Sequence, residues 1–332
     1  MKASNVALGC CAAAALLAGC GGSQNASPAA LPNAALPAVA QAASKAPART
    51  WMSPGAKRRD LLYVSDDRGV VYVFDYPGGS LVGTIAGLNG PSGLCSDSAG
   101  NVYVTETGAQ DILKFPHGAR KPSATLFDFG AFPDGCAVDP TTGNLAVTDY
   151  ATSPSQGPGN VLIYPSGSGN PVKYANANFN VYLFCGYDAH GNLLVDGLNG
   201  PSTEAEFAEL PRGGKNLKPV TLDTTIAYPG AVQWDGKYFA IEDVAKGNVY
   251  QFGIAKGKGT RQGTVHVGVR SKLIVQFAID GSRLIVPFGA TPRSVRKVGY
   301  WAYPAGGSPT QVLQAPGAVQ LVGTAISHVV SP

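Results

Sequence analysis

The sequence predicts an all-β protein, a six-bladed β-propeller in which a C-terminal strand closes the first blade. Three observations lead to this prediction. A pattern of short apolar strands and Gly-containing turns is repeated six times between Leu61 and the C-terminus. The 332 residues include 43 Gly and 25 Pro but only 14% charged side chains, and Gly and Pro interrupt helices while suiting tight turns. A segment near the C-terminus resembles the one strand that the first repeat lacks.

The second strand of each repeat is apolar and in most copies ends in an acid. The six second strands are LLYVSD from Leu61, NVYVTE from Asn101, NLAVTD from Asn144, NLLVDG from Asn192, KYFAIED from Lys237 and RLIVPF from Arg283. They align on Val64, Val104, Val147, Val195, Ala240 and Val286, which are 40, 43, 48, 45 and 46 residues apart. A repeat of this length, with short strands and no helical periodicity after Ser53, indicates a radial array of small sheets.

Inner strands precede a D-x-x-G-N-like turn in five of the copies. They begin at Pro91, Pro133, Tyr182, Pro229 and Leu273. The first copy has no such strand, but Pro316–Leu321 (PGAVQL) repeats the PGAVQW that begins at Pro229. We therefore expect Pro316–Leu321 to lie beside Leu62 and to complete the first blade. This closure would leave no open sheet edge between the first and last repeats.

The first 20 residues have the three-part form of a secretion signal. Lys2 is followed by an apolar run from Val6 to Leu17, and the segment ends in Leu-Ala-Gly-Cys at Cys20. This ending resembles the bacterial lipobox, which implies that Cys20 is diacylated and becomes the mature N-terminus. Gly21 in place of Asp implies, from the same resemblance, retention at the outer membrane if the cell is diderm.

A spacer separates the signal from the repeats. Residues 21–59 are rich in Ala, Pro and Ser and contain few aromatic side chains, so we expect a disordered tether, with the propeller spanning residues 60–332. The tether ends in Lys57-Arg58-Arg59. This cluster either contacts anionic lipid or glycan or is a solvated end of the linker.

The repeat P-x-G-x-x-x-D-x-x-G-N-x-x-V-x-[DE] resembles the NHL repeat and its relatives, the gluconolactonase (senescence-marker-protein) family and the streptogramin lyases. The resemblance covers Leu61 to about Val330 and implies a six-bladed propeller, a fold that hosts hydrolases, lyases and binding platforms alike. Lactonases of this kind hold a metal with acidic and Asn side chains near the inner strands. Of the matching positions here, only Asp134 carries a suitable ligand.

Acidic residues recur near the ends of strands that should surround the central channel. The candidate channel or metal face consists of Asp134, Asp66, Glu106, Asp149, Asp196 and Glu242. Such a ring could hold Ca²⁺, which prefers several carboxylate and carbonyl oxygens. In the alternative interpretation each acid caps its own turn through a backbone N–H.

Basic residues are expected on the opposite face, in the turns between third and fourth strands. They are His117, Arg120, Lys121, Arg212, Lys215, Lys218, Lys256, Lys258 and Arg261. An anionic envelope glycan would suit this face. Nucleic acid is not an expected partner, because the repeats as a whole are close to neutral and the protein is expected to be exported.

The cysteines that remain after loss of the leader and lipidation are Cys95, Cys136 and Cys185. Cys95 lies two residues before the turn Asp of its blade, whereas Cys136 and Cys185 lie three residues before theirs. Because side chains alternate along a strand, Cys95 can face Cys136, and Cys136 cannot face Cys185. The interpretation stays open between a Cys95–Cys136 disulfide and three buried thiols.

The sequence contains none of the motifs G-x-S-x-G, H-E-x-x-H or C-x-x-C, and no phosphate-binding Gly-rich loop. The leading hypothesis is a monomeric, lipid-anchored, exported propeller that acts as a binding or interaction platform for an envelope glycan or protein. The alternative is a metal-dependent, lactonase-like hydrolase or lyase that uses the acidic face of the channel around Asp134. A structural envelope protein without a small ligand is a third possibility.

Overall fold

The computed structural model describes residues 49–128, 130–152, 157–200, 204–268, 276–291 and 294–330. The predicted signal, with Cys20, and residues 21–48 of the predicted tether lie outside the described residues. The described chain is all-β apart from two short 3₁₀ helices, Ala56–Arg58 and Pro165–Gly167. Its strands form six small, mainly antiparallel sheets, which confirms the six-bladed propeller.

The first three blades are given from the channel outward. Blade 1 consists of Leu321–Ser327, Leu61–Asp66, Val70–Asp75, Leu81–Ala86 and Trp51–Met52. Blade 2 consists of Pro91–Ser96, Val102–Glu106, Asp111–Phe115 and Ala124–Phe127. Blade 3 consists of Ala131–Val138, Leu145–Thr152, Gly157–Tyr164 and Val172–Tyr174.

The other three blades follow the same order. Blade 4 consists of Val181–Tyr187, Leu193–Leu198, Ala205–Leu210 and Lys218–Pro219. Blade 5 consists of Pro229–Trp234, Phe239–Asp243, Asn248–Ala255, Lys258–His266 and, paired in parallel at the edge, Thr221–Leu222. Blade 6 consists of Ala278–Asp280, Arg283–Thr291, Ser294–Ala302 and Gln311–Gln314. Inner strands of successive blades are neighbours around the whole ring, and blade 6 contacts blade 1.

The C-terminal strand closes blade 1 as predicted, but the residues that form it differ from the prediction. The strand is Leu321–Ser327, with Ile326 opposite Leu62. Pro316–Leu321 was expected to be this strand, and it ends where the strand begins. Its Pro and Gly, with Gly317 at a φ of 82°, form a turn instead. The buried Asp66 carboxylate holds that turn by accepting the N–H of Val319 at 2.7 Å.

Two further details differ from the sequence prediction. The last part of the predicted tether is ordered, because Trp51–Met52 pairs with the outer edge of blade 1 and Ala56 is buried. In blade 5, Ile241 lies opposite Val232, as Val195 lies opposite Cys185 in blade 4. Ile241, not Ala240, is therefore the residue equivalent to Val195. In blade 6 the predicted start of the inner strand, Leu273, lies outside the described residues.

The core is divided among the seams between neighbouring blades. One cluster joins Tyr103 and Ile112 of blade 2 to Leu145 and Tyr164 of blade 3. Because each blade packs against two neighbours, both faces of its middle strands are apolar, and every residue of Leu61–Asp66 is buried. The seams, and not a single central core, therefore position the side chains near the channel.

Candidate functional site

One position of the second strand connects each of the first three blades to the next blade. It is occupied by the buried hydroxyl residues Ser65, Thr105 and Thr148. Their hydroxyls donate to the inner-strand carbonyl oxygens of Ser92 at 2.5 Å, Asp134 at 2.6 Å and Leu183 at 2.6 Å. We call this the interblade position. A buried hydroxyl that is hydrogen-bonded in this way fixes the spacing of the blades without an uncompensated polar group.

Carboxyl groups occupy the interblade position in blades 4 and 5, where the residues are Asp196 and Glu242. Asp196 is fully buried and its Oδ1 accepts the N–H of Phe184 at 2.8 Å. Thr148 accepts the N–H of Gly135 at 2.9 Å in the same way. The second oxygen of each acid, Oδ2 of Asp196 and Oε2 of Glu242, has no hydrogen-bond partner in the described part of the chain.

The pKa values of these two carboxyls are raised. Burial is the largest cause for both, because it penalises the charged form. The pKa of Glu242 rises to about 8, and that of Asp196 lies well above its usual range, with further contributions from Asp134 and Glu242. Both groups are therefore predominantly neutral at pH 7, and a neutral carboxyl can donate a hydrogen bond as Ser and Thr do in the other blades.

The other predicted site acids of blades 1 to 3 lie in separate places. The Asp66 carboxylate accepts backbone N–H groups, including that of Arg68 at 3.0 Å, so it caps turns. Glu106 accepts the N–H of Asn89, and burial, then nearby Asp111, raise the pKa of Glu106 to about 7. The remaining site acid, Asp149, is fully buried beside Asp128. Burial and this second carboxyl hold the pKa of Asp149 well above its usual range.

Asp134 lies at the start of the blade 3 inner strand, near the interblade acids. The hydroxyl of Ser92 donates to its Oδ1 at 2.5 Å, and burial raises the pKa of Asp134 to about 6. Burial raises the pKa of Tyr228 to about 12, and Tyr150, Asp134 and Asp196 add to the shift. Asp134 and Glu242 thus each interact electrostatically with Asp196 where blades 3 to 5 adjoin.

These acids do not form a ready metal centre. Across the part of the chain that the structure describes, no three His, Cys, Asp or Glu side chains are grouped so that they could hold a metal ion. The carboxyls in the interblade position are buried and predominantly neutral, whereas Ca²⁺ requires several charged or carbonyl oxygens directed at one point. The residues therefore do not fit a resident metal, and no metal-dependent step is derived for them.

The three cysteines lie in the seams between blades 2, 3 and 4. Cys95 and Cys136 form a disulfide with a Cα–Cα distance of 5.7 Å, and it joins the inner strands of blades 2 and 3. Cys185 is a free, buried thiol. Burial raises its pKa far above the usual range, so it is neutral and chemically inert.

Basic side chains form an exposed surface where the edges of blades 4 and 5 meet. This blade 4–5 surface consists of Lys215, Lys218, Lys256, Lys258 and Arg261. None of them lies within ion-pair distance of a carboxylate in the described ranges. The chain brings them together because it runs from the edge of blade 4 directly to the edge of blade 5, where the N–H of Thr221 donates to Gly257 O at 3.0 Å.

Sequence reasoning missed the interblade position, although the signal was present. The residue after the aligned Val reads Ser, Thr, Thr and Asp in blades 1 to 4, and the one-residue misalignment in blade 5 concealed Glu242. The expected acidic face is not an exposed acidic surface, because Asp66, Glu106, Asp149, Asp196 and Glu242 are buried. No helix among the described residues is long and apolar enough to cross a bilayer.

No protein-family model matches the sequence, and a search of curated proteins finds no match. Solved structures do match. A structure of a nidogen/laminin complex gives a TM-score of 0.62 at 12% identity, covering 82% of this chain and 100% of that chain. A protein of unknown function from Bacteroides caccae gives 0.59 at 12% identity, with 81% and 99% covered. A functionally unknown protein from Desulfotomaculum acetoxidans DSM 771 gives 0.57 at 12%, with 81% and 99% covered. These similarities show a shared propeller fold.

Proposed function

We propose that this protein is an exported, monomeric propeller, lipid-anchored through Cys20, that acts as a binding platform in the cell envelope. Its docking site is the blade 4–5 surface, and its partner is an anionic envelope glycan. The observation that carries the proposal is the contrast between unpaired, exposed cations on this surface and buried acids elsewhere. The propeller in the nidogen/laminin complex supports a platform role at the level of the fold alone.

The local geometry favours a long, repeating anion over a small one. Lys218 and Lys256 stand on either side of the chain crossing, where Gly257 packs against Pro219 O. Arg261 continues the surface along the next strand, and its N–H is held by the Asp223 carboxylate at 3.0 Å. The cations thus follow two neighbouring strand edges and do not surround a pocket. Such an array matches a chain of anionic groups, and its attraction is screened by salt.

The test is binding of the full chain, carrying Cys20→Ala to keep it free of lipid, to an anionic polysaccharide such as alginate. Neutral dextran is the control ligand. We expect alginate binding that weakens as salt rises, and at least a tenfold loss of affinity in Lys256→Glu/Lys258→Glu. Arg120→Glu/Lys121→Glu, which makes the same charge change on blade 2, should retain the affinity. Equal alginate affinity in the two variants would show that the blade 4–5 surface is not the docking site.

The second candidate is the metal-dependent, lactonase-like hydrolase or lyase that the NHL-type resemblance implies. Its support is the resemblance and the electrostatic effect of Asp134 and Glu242 on Asp196, which adds to that of burial. Because Asp196 and Glu242 are predominantly neutral, a cation would have to displace their protons. Calorimetric titration with Ca²⁺ tests it, with Asp134→Asn as the control. Heat and a raised melting temperature that both vanish in the variant would favour the enzyme. No heat at millimolar Ca²⁺ would leave the platform as the better account.

A further inference from the structure

A second exposed basic surface lies where the first 3₁₀ helix meets the turn between the third and fourth strands of blade 2. This blade 1–2 surface consists of Lys57, Arg58, Arg59, Arg120 and Lys121. Two contacts bring its halves together. The turn at Gly118 packs directly against Lys57, and His117 Nε2 lies 3.0 Å from Arg59 O. Segments that are 60 residues apart in the sequence therefore form one surface.

The C-terminus adds exposed apolar side chains to the same place. The N–H of Val329 donates to Asp60 Oδ1 at 2.7 Å, which holds the chain end beside the basic 3₁₀ helix. Val329 and Val330 are 37% and 55% exposed. Of the five cations only Arg59 pairs with a described carboxylate, Asp75 at 3.6 Å. Unpaired cations next to exposed valines are the combination that an anionic lipid surface accommodates.

We propose that the blade 1–2 surface docks the propeller onto an anionic phospholipid surface. The proposal rests on the lipid anchor of the proposed function, because residues 1–48 precede this surface and include Cys20. The diacylated Cys20 would hold the chain at the membrane, and a basic surface would add electrostatic attraction to anionic lipid. The lipid surface is favoured over a glycan here because the exposed Val329 and Val330 lie beside these cations, and a bilayer accommodates apolar side chains together with cations.

The two basic surfaces belong to different blades of one closed ring. Both include the turn between the third and fourth strands of a blade, so they lie on the same face of the ring. Variants confined to one surface are therefore needed to show which of the two carries vesicle binding.

The test uses the full chain with Cys20→Ala, so that binding does not depend on the acyl groups. Partition is measured by sedimentation with vesicles of equal parts phosphatidylglycerol and phosphatidylcholine, and with vesicles of phosphatidylcholine alone. We expect binding to the anionic vesicles only. Each cation near the surface contributes about fivefold to partition, so Arg58→Gln/Arg120→Gln/Lys121→Gln should lower partition about a hundredfold.

The matched control is Lys215→Gln/Lys218→Gln/Lys258→Gln, with three equally exposed cations on the blade 4–5 surface. It should keep its vesicle partition within about threefold and lose alginate binding. An equal loss of vesicle binding in both variants, or equal binding to neutral vesicles, overturns the inference. Loss of alginate binding in the blade 1–2 variant, with vesicle binding intact, assigns that surface to glycan and also overturns it. Failure with vesicles alone leaves the proposed function standing, since alginate binding tests that separately.

Discussion

Blades 1 to 3 and blades 4 and 5 carry different chemistry at the interblade position. Thr148 joins blade 3 to blade 4 through a hydroxyl, which needs no change of protonation between pH 4 and pH 10. Asp196 and Glu242 occupy the same position in the next two blades and can donate only while they are protonated. The same backbone position therefore accepts either a hydroxyl or a carboxyl group, and only the carboxyl changes its protonation near neutral pH.

A disulfide is the second difference between these two groups of blades. The Cys95–Cys136 disulfide joins blades 2 and 3, across a sequence separation of 41 residues. Blade 4 contributes a thiol at the corresponding inner strand, Cys185, but this thiol is free. Hydroxyl hydrogen bonds and a disulfide therefore add to the apolar packing of blades 1 to 3, whereas buried neutral acids occupy the interblade position in blades 4 and 5.

Removal of the crosslink should have the largest effect on stability. Closing a loop of this length restricts the unfolded chain, so we expect Cys95→Ala/Cys136→Ala to lower the free energy of unfolding by about 4 kcal/mol. Urea unfolding of the oxidised protein and of the variant measures the difference. Reductant should destabilise the wild type and leave the variant unchanged. A wild type that is insensitive to reductant under unfolding conditions would contradict the role of the disulfide.

The next effect is a fall in stability as the pH rises from 5 to 8. Glu242 has a pKa of about 8 in the folded protein against its ordinary value of 4.5, so folding favours its protonated form. This stabilisation is complete below pH 4.5 and is lost as the pH rises through 8. Between pH 5 and pH 8 the loss is about 3 kcal/mol.

Glu242→Gln keeps the shape of the side chain and cannot ionise, so it should unfold with a shallower dependence on pH. Urea titrations at several pH values check this. The exposed Glu204 offers the control variant, Glu204→Gln, which should follow the wild-type curve. If Glu242→Gln and the wild type lose stability in parallel from pH 5 to pH 8, the neutral-carboxyl account of blade 5 is wrong.

Removal of the Thr148 hydroxyl should cause a smaller loss of stability, and this loss should be independent of pH. Thr148→Val keeps the volume but leaves the N–H of Gly135 without its acceptor, which should cost about 2 kcal/mol. Thr125→Val, on the exposed outer strand of blade 2, should cost less than about 0.5 kcal/mol. Denaturant midpoints at pH 5 and pH 8 should show the same difference between the two variants at both values. A Thr148→Val effect that changes with pH would remove the distinction between the two groups of blades.

The sequence predicted the architecture well because the repeat encodes it directly. The six sheets, the closure of blade 1 and the facing of Cys95 and Cys136 all follow from strand alternation and repeat spacing. The closing strand was misplaced because the sequence of Pro316–Leu321 resembles that of an inner strand. In the structure this segment forms a turn whose Val319 N–H donates to the Asp66 carboxylate. Similar letters do not reveal a tertiary hydrogen bond between residues 253 positions apart.

The candidate site was less predictable, because the hydrogen-bond donors around an acid decide its role. Asp66 and Asp196 are both buried in second strands, yet Asp66 accepts N–H groups with both oxygens, whereas one oxygen of Asp196 has no partner among the described residues. The two basic surfaces also depend on contacts that the sequence does not show. Lys57 and Arg120 belong to different repeats, and only the folded turn at Gly118 brings them together.

Hydrogen exchange of the lipidated protein on phosphatidylglycerol-containing vesicles, with and without alginate, tests the separate roles of the two basic surfaces most directly. The account predicts that vesicles slow exchange in residues 56–60 and 117–121, and that alginate slows exchange in residues 215–222 and 256–261. Slower exchange of residues 215–222 on vesicles alone, with residues 56–60 unaffected, would contradict it.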